Sequence, residues 1–182
     1  MSKKGFNEFS VRYVYNYTQI IGAAAVIDTS YDITSDELKT YLTEINDISD
    51  KVWYAEEGFT TNLLMKYKDF PITRTANSLK SWQKFTIARM KSKLKTARKT
   101  KEALGCVDAS VIAYAIAMVY VMKEKMEYEN IEIMEALCRY EELLGDSLEK
   151  TKKGKITDYI DVIADSIDDA YNISINDYLY EV

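Results

Sequence analysis

Ten cations stand without a single anion between Phe70 and Lys101, and seven anions stand without a single cation between Ile156 and Val182. Their chemistry is recognition by charge. On a helix of ~100° per residue, Lys80, Lys84, Lys91, Lys95, Arg98 and Lys99 fall within an arc of about 100°, and at ~1.5 Å rise per residue the stripe runs roughly 28 Å, close to one turn of duplex DNA. Six cations in such a row neutralise several phosphates, which gives binding that is salt-dependent and indifferent to base sequence. No acid is interleaved to form i,i+4 pairs, so the repulsion is uncompensated within the segment.

The anions are ordered in the same way. Asp158, Asp161, Asp165, Asp168 and Asp169 share an arc of about 100° opposite a stripe of isoleucines, with roughly 5 Å of axial rise between successive carboxylates. That spacing is comparable with the spacing of phosphates along a nucleic-acid strand, so the row is able to stand in for DNA in a basic cleft. An ordinary solvated helix face is the alternative, although aspartate forms helix less well than glutamate. The net charge of −5 hides both ends of this polarised chain. A surface so divided suits a nucleic acid or a protein that itself binds nucleic acid.

Conventional catalysis has little material here. The chain has no histidine, which removes the usual general base, the Ser-His and Cys-His pairs and the commonest zinc ligand. Cys106 and Cys138 lie far apart and read as buried free thiols in a reducing cytosol. Glu132-x-x-Glu135 and Asp158-x-x-Asp161, separated by 22 residues, resemble the Glu-x-x-Glu…Glu-x-x-Asp pattern of all-α nucleoside triphosphate pyrophosphohydrolases. The resemblance implies carboxylates that coordinate Mg²⁺ ions against substrate phosphates. The sequence departs from it at Asp158, where glutamate is usual, and Asp158 and Asp161 lie opposite the apolar stripe. The residues themselves call for no cofactor and no resident metal.

These charges have to be carried by helices, because the apolar residues recur with helical period and no alternating run requires a sheet. Phe6, Phe9, Tyr13, Tyr17, Ile20, Ala24 and Ile27 predict a first helix over Phe6–Ile27. Thr34-x-x-Glu37 is a capping box for a second, whose stripe is Leu38, Tyr41, Leu42, Ile45, Ile48 and Val52. A short third helix covers Thr61–Asp69, and the basic fourth runs from Ser78 to Leu104. Asp108 caps a fifth, with Val111–Met122 as the central buried helix, which either runs on through Asn130 into the Ile131–Leu144 segment or stops before it. Thr157 opens the acidic helix, which ends near Tyr171, and Ile173–Val182 is either a frayed helix or an ordered tail. Gly58, Gly105, Gly145 and Gly154 are expected as C-terminal caps. Tyr13, Tyr17, Tyr41 and Tyr159 are packing residues, Trp53 and Trp82 core anchors, and Tyr171, Tyr178 and Tyr180 an aromatic surface suited to binding protein. The expectation is one all-α domain over residues 1–182, a bundle of six to eight helices with a long basic helix and an acidic C-terminal helix.

Apolar residues make up 47% of the 182, enough for a core without staples. No signal peptide is evident, and the most apolar stretch is about half the ~20 residues a spanning helix needs. The start MSKKGFNEFSVRYVYNYTQ, the segment SWQKFTIARMKSKLKTARKTK and the close DYIDVIADSIDDAYNISINDYLYEV together resemble the anti-CRISPR proteins of phages and mobile elements directed at Cas9 of type II-A systems. The resemblance implies a non-enzymatic inhibitor that acts in the cytoplasm of a bacterial host, binds Cas9 with its guide RNA and blocks target-DNA engagement or cleavage. The acidic face would meet Cas9, whose heteroduplex channel is positively charged. The basic face would contact double-stranded DNA, and a homodimer is admitted. A sequence-independent DNA-binding accessory protein and the Mg-dependent hydrolase are the competing readings.

Overall fold

A computed structural model of the chain describes residues 5–54, 58–72, 74, 75, 77, 112–151 and 156–180. Among them every regular element is helical and none is a strand. The α-helices are α1 (Gly5–Thr29), α2 (Ser35–Tyr54), α3 (Phe59–Lys66), α4 (112–124), α5 (Asn130–Thr151) and α6 (Ile156–Tyr171), followed by a 3-10 turn over Ile175–Tyr178. All contribute to one continuous cluster of buried apolar side chains. Among the described residues, no helix is long and apolar enough to cross a membrane.

Two helices form the centre. In α4 the seven consecutive residues Ala113 to Val119 are all buried, as the apolar Val111–Met122 stretch predicts. In α1 the burial is wider than a stripe. Val14, Tyr15, Asn16, Thr18, Gln19, Ile20, Ile21, Ala23, Ala25 and Val26 are buried, whereas Tyr17, Ala24 and Ile27 of the expected face are only half-buried. The correction has a simple cause: α1 packs against α2, α5 and α6 on different sides, and a helix surrounded in this way has no single core face. It crosses α4 at Gly22, where the Tyr114 ring occupies the space a Cβ would need.

The second helix begins as its capping box requires. The Thr34 N–H donates to Glu37 Oε2 (2.7 Å), and the Glu37 N–H donates back to Thr34 Oγ1 (3.2 Å). The Thr34 N–H and, after it, the Thr34 hydroxyl, which donates to the same Oε2 (2.7 Å), hold the Glu37 carboxyl below its ordinary value. Thr34→Ala is expected to lower stability by about 1 kcal/mol in a urea titration. Leu38, Tyr41, Leu42, Ile45 and Ile48 are buried as their spacing predicts.

The structure settles one open helix boundary and departs from the sequence reading at two glycines. Residues 112–144 are not one helix: α4 stops, Glu127 takes a left-handed φ of 57°, and α5 restarts at Asn130. The Tyr128 N–H reaches the Met122 carbonyl (2.9 Å) across this break, and Glu132 Oε2 accepts the Glu129 N–H (2.7 Å) to cap α5. Gly145 is no cap, since α5 runs through it to Thr151. Gly58 is left-handed at φ 103°, but it precedes α3, which spans Phe59–Lys66. The left-handed residue that closes α6 is Asn172 (φ 49°), with the Ile173 N–H bonded to the Asp168 carbonyl (3.3 Å) in the six-residue pattern of a Schellman cap. Cys138 is also corrected, because it is exposed on α5 rather than buried. Gly105, Gly154, Cys106, Asp108 and Trp82 lie outside the described residues, as does the side chain of Trp53.

Candidate functional site

The isoleucine stripe of α6 faces inward: Ile160, Ala164 and Ile167 are buried, and Tyr159 and Ile163 are half-buried beside them. Asp161, Asp165 and Asp169 therefore emerge on the opposite side, all exposed, at successive four-residue steps along about 12 Å of helix. Ser166 and Val162 share that outward side, and Val162 is 62% exposed. The row carries a destabilising arrangement. Like charges at i,i+4 repel, no basic residue occupies the last turn of α6, and Asp169 sits at the negative end of the helix dipole.

Asp168 does not belong to this face. It is half-buried, and its Oδ1 accepts the Ile175 N–H at 2.6 Å, which ties the chain after α6 back onto the helix. Helical projection alone puts Asp168 in the ladder, because a projection ignores the backbone beyond the helix end. Asp158 is in α6, but its side chain lies outside the described ones.

Ion pairs among the described residues lie elsewhere. Arg139 bridges to Asp28 (2.8 Å) and Glu142 (3.1 Å), which ties α5 to α1. Arg74, from the basic segment, reaches Glu141 Oε2 (3.1 Å), whose other oxygen accepts the Thr75 hydroxyl (3.1 Å). Lys66 pairs with Glu124 (2.8 Å) and Lys125 with Glu44 (3.2 Å). Lys80, Lys84, Lys91, Lys95, Arg98 and Lys99 of the basic stripe lie outside the described residues. Of the suggested metal pairs, Glu132 caps α5, and Glu135 and Asp161 are exposed. Among the described residues no group of three or more histidine, cysteine, aspartate or glutamate side chains is placed to hold a metal ion.

The C-terminal tyrosines are a second correction. Tyr178 and Tyr180 are half-buried and fixed to α1 and α2 instead of forming an open aromatic surface. The Tyr180 hydroxyl donates to Asp50 Oδ1 (2.7 Å) and meets Ser49 Oγ (2.8 Å), and its ring lies 5.4 Å from that of Tyr15. Asn16 and Gln19 of α1 and Asn46 of α2 hold the backbone of the same segment. The sequence did contain a signal for two of these holders: Asn16 and Gln19 interrupt the apolar run of α1 with hydrogen-bonding groups that a buried helix has to satisfy.

Comparison with protein-family models, curated proteins and solved structures finds no match. Function is therefore read from this chain's own charges and geometry.

Proposed function

We propose that this protein is a non-enzymatic anti-CRISPR inhibitor that acts in the bacterial cytoplasm, binds guide-loaded Cas9 and blocks productive engagement or cleavage of target DNA. The observation that carries the reading is the exposed row of Asp161, Asp165 and Asp169 on a helix anchored by its isoleucines. A rigid row of carboxylates meets a basic nucleic-acid channel with its charges already in place, so little side-chain ordering opposes binding. Its cost to the isolated helix supports a binding role over mere solvation. Val162 adds apolar contact beside the charges. The six cations of the basic stripe, Lys80, Lys84, Lys91, Lys95, Arg98 and Lys99, support a second contact, with double-stranded DNA, and would by themselves suit a sequence-independent DNA-binding accessory protein.

The test replaces Asp161, Asp165 and Asp169 together by Asn and leaves Asp168 in place to hold Ile175. Potency against Cas9 cleavage is expected to fall at least tenfold, since each desolvated charge pair lost costs a few kcal/mol. The melting temperature is expected to stay level or rise, because repulsion along α6 is relieved. Equal potency at equal stability would remove the acidic face from the mechanism. A pulldown with guide-loaded Cas9, beside a gel shift with bare DNA and an assay of pyrophosphate release, separates inhibitor, DNA binder and hydrolase.

A further inference from the structure

The cleft between α1 and α2 holds the segment Tyr178–Tyr180 by contacts directed mainly at peptide groups. The Asn16 carboxamide makes the two bonds that a neighbouring β-strand would make: Nδ2 donates to the Tyr180 carbonyl (2.7 Å), and Oδ1 accepts the Tyr180 N–H (3.0 Å). Gln19 Nε2 (3.2 Å) and Asn46 Nδ2 both donate to the Tyr178 carbonyl. Leu179 between them is extended, at φ −94° and ψ 155°. One side chain is recognised, that of Tyr180, by the Tyr15 ring and by Asp50 and Ser49.

The seat is better made than its occupant. Gln19 is fully buried, yet its Oε1 has no hydrogen-bond partner, and neither has the buried Asn46 Oδ1. A buried acceptor left unpaired is destabilising, so each carboxamide keeps a hydrogen-bonding position that the resident segment does not fill. Both carboxamides already grip a peptide carbonyl and present a further acceptor beside it. The occupant is also less deeply seated than the residue that roots it, and exposed Asn176 and Asp177 separate the two. Ile175 is fully buried and roots the tail, whereas Tyr178, Leu179 and Tyr180 are only half-buried.

We infer that the α1/α2 cleft is a binding site for an extended, tyrosine-bearing peptide, and that the chain's own Tyr178–Tyr180 is a displaceable resident ligand. Asn16, Gln19 and Asn46 read the peptide backbone, and Asp50 and Ser49 read the tyrosine hydroxyl. A peptide that offers N–H groups to Gln19 Oε1 and Asn46 Oδ1 outcompetes the resident tail. This site is separate from the acidic face of α6 and does not depend on the Cas9 reading.

The probe is a fluorescent synthetic peptide of sequence ISINDYLYEV, added to the full-length protein. In the wild type the tethered tail competes at an effective concentration of the order of millimolar, so the labelled peptide binds weakly. In full-length Tyr180→Ala the resident loses its anchor, and the peptide is expected to bind at least tenfold more tightly than to wild type. Adding Asn16→Ala is expected to return affinity to the wild-type level or below. Equal affinity for wild type and Tyr180→Ala, or tight binding that survives Asn16→Ala, overturns the inference. Circular dichroism reports whether the variants fold. Amide exchange on the unmodified protein gives an independent reading: the Tyr180 N–H is expected to exchange at least 100-fold faster than that of Ile21 in the centre of α1. Exchange of Tyr180 at the core rate would mean that the tail never leaves its seat, and would equally overturn the inference.

Discussion

Replacing Gly22 by alanine is expected to remove about 3 kcal/mol or more of folding stability, at or above the top of the usual range for an overfilled core. A Cβ at this position would stand 1.5 Å from Tyr114 Oη and 2.5 Å from Cζ, distances at which atoms overlap. Tyr114 has nowhere to retreat. Its ring meets Tyr15 edge-on at 5.5 Å and Tyr140 at 5.3 Å, and its hydroxyl is 3.2 Å from that of Tyr41. Either α1 and α4 separate or the tyrosine abandons this cluster. Helix propensity acts the other way by only about 1 kcal/mol, so the overlap wins. Because whole domains are stable by about 5–15 kcal/mol, much of the reserve is lost. Urea titrations of wild type, Gly22→Ala, Tyr114→Leu and the double variant test the cause. In the Tyr114→Leu background the alanine is expected to be neutral or mildly stabilising. A Gly22→Ala protein that melts with the wild type would show that the contact is not tight.

The same tyrosines set a limit at high pH. Tyr15, Tyr41, Tyr114 and Tyr140 are buried in one group, and burial pushes each phenol up from its ordinary value, beyond the smaller effects of neighbouring hydroxyls. In the unfolded chain these phenols ionise near pH ~10. A raised folded value means that the stabilisation is complete below that pH and is lost as pH climbs toward the folded value. Each group then removes about 1.4 kcal/mol per pH unit, so four together remove about 5 kcal/mol roughly one unit above the unfolded pKa. Urea midpoints are expected to be flat through neutral and mildly alkaline pH and to collapse above about pH 10. The last part of the tyrosinate absorbance, that of the four buried phenols, should appear in step with the loss of helical signal. Helices that stay intact after all fifteen tyrosines have ionised would refute the grouping.

Local, periodic features were legible in the sequence. The Thr34–Glu37 box, the α2 and α6 stripes and the buried run in α4 depend on neighbours within a turn or two, which the sequence displays directly. What escaped depends on partners far along the chain. Asp168 projects with the other aspartates of α6, but the backbone after the helix claims its carboxylate. Gly145 resembles a stop because glycine usually marks one, yet the buried face of α5 continues on both sides through Leu143, Leu144 and Ser147 and keeps the helix intact. The holders of the C-terminal segment were missed because side-chain amides binding backbone leave no hydrophobic period. The acidic face was legible as a pattern, and three of its five members now have an exposed position on one side of α6.

Asn16 and Tyr180 meet across 164 positions, so their pair of hydrogen bonds closes a loop that takes in almost the whole bundle. Closing a loop of that length costs roughly 4–5 kcal/mol of chain entropy if nothing else has formed. Helical bundles fold quickly because most of their contacts are local, and this contact is the opposite kind. It becomes favourable once α1 and α2 already lie side by side and the end of α6 has been brought near them. The seating of the tail is thus expected late on the folding path, beyond the barrier. Substitutions at Asn16 or Tyr180 are then expected to raise the unfolding rate and leave the refolding rate almost unchanged in stopped-flow urea jumps.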